Sequence, residues 1–88
     1  MAYRIVLKPS VEKALASLPR RALKRIDARI LSLAEDPYPA AAKLLRGEEG
    51  IRRIRVGDYR ILYRVEKDRL VVLVVRVGHR REVYRRLP

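Results

Sequence analysis

Eighty-eight residues, 49% of them hydrophobic, suffice for one domain and leave no room for a second core. The chain has no cysteine, which excludes a disulfide framework and a thiolate zinc site, and its 22 Lys and Arg against ten Asp and Glu give a net charge of +12. It shows neither a secretory leader nor an apolar run of membrane-spanning length, so a soluble protein of the cytoplasm is expected.

Tyr3–Lys8 reads as a short strand closed by Pro9. Ser10 is the expected N-cap of a first helix, with Glu12 in its first turn and Val11, Ala14, Leu15 and Leu18 at helical spacing up to Pro19. A second helix is expected over 20–35, with Leu23, Ile26, Ile30 and Leu33 forming its apolar stripe. Asp36-Pro37-Tyr38-Pro39 ends it, because a residue before proline is pushed out of the α region. A loop follows, anchored by Lys43-Leu44-Leu45-Arg46-Gly47, and then three strands at about 51–56, 59–66 and 69–77. Gly57-Asp58 and Lys67-Asp68 are short enough to be hairpin turns. The expected fold is α+β: two N-terminal helices packed on a mostly antiparallel sheet, in the order β-α-α-β-β-β.

Seventeen of the 22 basic residues are arginine, and residues 1–45 (+5) and 46–88 (+7) are both basic. Such a chain favours an anionic partner, and the guanidinium fork suits phosphate. Strand alternation sharpens this. Ile54 and Val56 share one face of their strand, and Tyr59, Ile61, Tyr63 and Val65 share one face of the next. With the helices packed on those residues, Arg53, Arg55, Arg60 and Arg64 converge on the other face. The competing reading is a solvated face whose arginines pair with Glu48, Glu49 and Glu66.

The common catalytic constellations are missing. A single histidine builds neither a two-histidine pair nor a histidine-rich metal site, and no carboxylate pair is spaced to hold magnesium. No glycine-rich phosphate loop is present. Arginine, tyrosine and one histidine can still serve RNA cleavage, in which the substrate's own 2′-OH attacks and preorganised cations stabilise the phosphorane.

Arg55-Val56-Gly57-Asp58-Tyr59-Arg60-Ile61-Leu62-Tyr63 and Val77-Gly78-His79-Arg80-Arg81-Glu82-Val83-Tyr84, in this element order, resemble the RelE/ParE toxin superfamily along essentially the whole chain. The resemblance implies a toxin of a type II toxin–antitoxin pair. In the RelE-like branch this is a metal-free, cofactor-free endoribonuclease that cuts mRNA on the ribosome and is neutralised by a cognate antitoxin protein. By the same resemblance Arg53 and Arg55 stand near the scissile phosphate and Arg60 contacts it. Arg80 stabilises the transition state or protonates the leaving group, and Tyr84 stacks on the substrate. Lys43, Arg46 and Arg64 are candidate RNA contacts. The family often has lysine where this chain has Arg53 and Arg55, and arginine is a poor base. The proton acceptor is therefore His79 or Tyr84, or base catalysis is weak. Two other readings stay open: a ParE-like DNA gyrase poison without nuclease chemistry, and a homologue that only binds RNA.

Overall fold

A computed structural model describes residues 2–47 and 49–79 of the chain. Arg4–Leu7 form strand β1, Pro9–Ala16 helix α1 and Arg20–Ser32 helix α2. Lys43–Leu44 form a short strand β2, followed by β3 (Ile51–Val56), β4 (Tyr59–Glu66) and β5 (Val71–His79). The five strands make one sheet in the order β1-β5-β4-β3-β2. All neighbours are antiparallel except β1 and β5. This is the expected α+β architecture, with one two-residue strand added at the edge.

Local chemistry sets the element boundaries. Helix α1 starts at Pro9, whose fixed φ and missing N–H suit a first helical position, so Lys8 is the N-cap and Ser10 lies inside the helix. The Lys8 carbonyl accepts from the Val11 and Glu12 amides, while its own amide donates to Val74 of β5 and ties the helix start to the sheet. Helix α2 ends at Ser32, earlier than expected, and a looser turn carries the chain to Asp36. The strand expected from 69 begins at Val71. Lys67–Arg69 form a 3₁₀ turn, and Leu70 takes a left-handed φ of 52° before the ladder resumes. The β3–β4 turn has its positive φ (59°) at Gly57 and not at Asp58, which fits a turn with glycine in the first central position.

The main core lies between the helices and one sheet face. Val11 and Leu15 of α1, Ile26 and Ile30 of α2, and Leu33 meet Ile54, Ile61, Tyr63, Val72, Val74 and Val77. Tyr63 is fully buried, and its hydroxyl donates to the Pro37 carbonyl at 2.8 Å. The Arg52 guanidinium lies 4.7 Å from the centre of the Tyr38 ring, so the loop over 36–39 is held from two sides.

Burial pushes the Tyr63 hydroxyl up to about 12, against a lowering by the nearby Arg52 charge. Its ionisation therefore opposes folding. The stabilising effect of keeping Tyr63 neutral is full below pH 10, the unfolded value, and is lost as pH rises towards 12. In urea titrations between pH 9 and 12, the wild type should lose about 1.4 kcal/mol per unit more steeply than Tyr63→Phe across that window. At pH 7 the variant should be about 1–2 kcal/mol less stable, for want of the bond to Pro37. Parallel curves would place the Tyr63 hydroxyl in solvent.

Candidate nucleic-acid interface

The face of the sheet turned away from the helices is set by cross-strand register, since residues directly opposite one another point the same way. At the β3–β4 hairpin end, one row runs Arg55, Arg60, Gly78. The next runs Lys43, Arg53, Leu62, Arg76, and the third Ile51, Arg64, Leu73. Neighbouring strands are about 4.8 Å apart, so the second row spans about 14 Å from β2 to β5. No position in these rows is acidic. Arg53, Arg55, Arg60 and Arg64 thus share a face, as alternation predicted, and Lys43 joins them through β2.

Arg76 escaped the sequence reading because the pairing slips by one residue between Leu62 and Tyr63, where Arg76 pairs with Leu62 and Val74 with Tyr63. Val75 is the extra residue. Strict alternation from Val72 and Val74 would drive Arg76 into the helix-side core. The bulge instead leaves Val75 and Arg76 on the basic face and returns Val77 to the core. A β-branched run broken by a single arginine before Val-Gly was the available sign.

The floor beneath the cations is apolar. Leu62 is fully buried, and Ile51 is buried with it, packed by Leu45 and Val75. Above that floor the Arg53 Nε is buried and has no hydrogen-bond partner. Arg60 Nη1 donates to the Tyr59 carbonyl at 3.2 Å and, weakly, to the Gly57 carbonyl at 3.4 Å, which fixes its direction along the turn. Arg64 reaches the Glu49 main-chain oxygen at 3.5 Å, and Glu66 pairs with Arg69 at 2.9 Å. Glu49 and Glu66 therefore do not neutralise the cluster with their carboxylates; Glu48 lies outside the described residues. Arg46 is exposed in the turn after Leu45.

His79 departs from the expected grouping. Its register partner is Tyr59, which packs on the helix side, and the two rings meet edge-on at 6.0 Å. Alternation puts its side chain on the face opposite Arg55 and Arg60. Arg80 and Tyr84, the other expected reactive residues, lie outside the described residues, as does Arg81. Among the described residues no group of His, Asp and Glu is arranged to hold a metal, and no helix is long and apolar enough to cross a membrane.

Comparison with known proteins gives this face a context. Residues 5–84 match the family described as the ParE toxin of the type II toxin–antitoxin system parDE. Over 87 residues the chain is 31% identical to toxin RelG of Mycobacterium tuberculosis, covering 98% of this chain and all of that protein. Among solved structures, the archaeal RelE–RelB complex from Pyrococcus horikoshii superposes with a TM-score of 0.80 at 30% identity, over 94% of this chain and 100% of the other. The intact E. coli RelBE toxin–antitoxin complex gives a TM-score of 0.79 at 26% identity, over 89% of this chain and 96% of that one.

Proposed function

The chain belongs to the ParE toxin family within the RelE/ParE superfamily of type II toxin–antitoxin toxins, and on that premise we propose that it is a RelE-type endoribonuclease that cleaves mRNA on the ribosome in the cytoplasm. The observation that carries this reading is the convergence of Arg53, Arg55, Arg60 and Arg76 over one apolar floor, with no acidic residue in the rows. Folding alone gains nothing from it: Arg55 and Arg60 face each other directly across the ladder, and like charges so placed repel.

In the proposed reaction the 2′-OH loses its proton as its oxygen bonds to phosphorus. The P–O5′ bond then breaks and O5′ takes a proton, leaving a 2′,3′-cyclic phosphate and a 5′-hydroxyl. Arg60, with Arg53 and Arg55, holds the phosphate and stabilises the phosphorane charge. Arginine cannot take the 2′-OH proton. His79 is turned to the other face, so the acceptor role falls to Tyr84, with Arg80 at the leaving group. A site so rich in charge stabilisation and so poor in proton transfer depends on the ribosome to order the strand for attack. The partners are the ribosome, its mRNA and a cognate antitoxin, whose acidic segments would be attracted to the basic face. No cofactor is required.

Expressing the toxin with and without its antitoxin and mapping mRNA 5′ ends tests this. Codon-phased 5′-hydroxyl ends, suppressed by the antitoxin, are expected. Stalled gyrase–DNA complexes with intact mRNA would replace this reading with the ParE-like one, which the matched family's description favours.

A further inference from the structure

The basic surface does not stop at the sheet. A cleft of about 500 Å³ lies between α2 and the β3 end of the hairpin, lined by Arg25, Ala28, Arg29 and Ser32 on one side and Arg55, Val56 and Gly57 on the other. Positions 25, 28, 29 and 32 follow the i, i+3, i+4, i+7 spacing that makes a single helix stripe. Three of the lining residues are arginine and none is acidic. The acidic residue of α2, Asp27, lines a different hollow with Arg20, Leu23 and Lys24. Arg21, Arg25 and Arg29 repeat every four residues, a like-charge spacing that weakens an isolated helix.

Gly57 joins the cleft to the sheet face. Arg25 Nη1 lies 3.5 Å from the point where a Cβ on Gly57 would stand, an ordinary van der Waals distance, so this guanidinium lies against the turn. From the other side Arg60 Nη1 reaches the Gly57 carbonyl at 3.4 Å. The hairpin turn is thus bracketed by one guanidinium from the cleft and one from the candidate site, and Arg55 lines the cleft while standing in the site's first row.

We propose that this cleft is a second phosphate-backbone site, which takes a single RNA strand on from the arginine face around the Gly57 turn. The inference rests on the RNA reading given above and extends it to the nucleotides flanking the reacting phosphate. Guanidinium groups at intervals along a cleft whose lining has no carboxylate grip a polyphosphate chain independently of sequence, and the exposed Asp58 of the turn does not line it. Small Ala28 and Gly57 leave room for the backbone.

Binding of uncleavable 2′-O-methyl oligonucleotides, a 4-mer and a 12-mer, to the purified toxin over 50–300 mM salt tests it without reference to cleavage. Arg25→Ala/Arg29→Ala should weaken the 12-mer and flatten its log K against log salt by about 1.4, at about 0.7 per lost single-strand phosphate contact. The 4-mer should be unaffected. Arg20→Ala/Lys24→Ala removes the same charge from the other flank of α2 and should leave the 12-mer slope within about 0.3 of the wild type, since non-contacting charges release no counterions. Equal losses in both double variants would reduce the effect to net charge, and equal losses for both oligonucleotides would make the cleft an independent site; either overturns the proposal. So would a glutamate-rich 12-residue peptide that binds through Arg25 and Arg29 while the 12-mer RNA does not. If mRNA is not cleaved in cells but the 12-mer result holds, the nuclease reading fails and the backbone site stands.

Discussion

Arg60→Ala should lower the single-turnover rate of mRNA cleavage on the ribosome by about 10²–10³-fold, the usual effect of removing one preorganised donor from a developing oxyanion. Arg60 qualifies because its guanidinium is already aimed: it donates to the Tyr59 carbonyl at 3.2 Å and lies along the Gly57 turn. Stability should move the other way. Arg55 and Arg60 are direct cross-strand partners, so removing one cation relieves a repulsion of about 0.2–1 kcal/mol. At low salt the variant should therefore unfold at urea concentrations equal to or above those of the wild type, with the difference vanishing near 0.5 M salt. Arg60→Lys keeps the charge but not the fork, and should recover only part of the rate. A variant that loses stability and activity in proportion would mark Arg60 as a structural residue.

Leu62→Ala should cost about 2–5 kcal/mol, a large share of the 5–15 kcal/mol that holds a domain of this size together. Leu62 is 0% exposed although it lies on the basic face, in register between Arg53 and Arg76. Truncating it opens a cavity directly under the cations, so the site should loosen as the fold weakens. The measurement is urea unfolding alongside cleavage at a temperature where the variant stays folded. Leu31→Ala is the control: Leu31 is 60% exposed on α2, and its truncation should change stability by no more than about 0.5 kcal/mol. Equal effects at the two positions would mean that Leu62 is not the floor of the site.

The fold was legible where periodicity and punctuation agree. Pro9, Pro19 and the Asp36–Pro39 run mark the ends of helices, and the alternation in β3 and β4 correctly separated Arg53, Arg55 and Arg60 from Ile54, Ile61 and Tyr63. Strand β2 was missed because two residues carry no period and become a strand only by pairing with Arg52 and Arg53. The start of β5 was misjudged because Leu70 looks like a strand residue, while its left-handed backbone closes the turn. Ser10 lost the cap position to chain geometry, since Pro9 had already begun the helix. Within the site, Arg76 and His79 were the hard cases. Both depend on a one-residue offset between neighbouring strands, and an offset belongs to the pairing of two segments and cannot be read from either alone.

That offset makes the bulge in β5 a chemical variable. Removing Val75 would restore plain alternation and leave every downstream face where it is, because Leu62 would still pair with Arg76, Ile61 with Val77 and Tyr59 with His79. Plain alternation with all nine residues of β5 kept would instead exchange those faces: the imidazole would stand among the arginines, Arg76 would enter the helix-side core and Val77 would leave it. The present arrangement keeps the core intact and holds the imidazole off the arginine face. One unpaired residue, without any change of residue type, therefore decides whether Arg76 or His79 shares the arginine face.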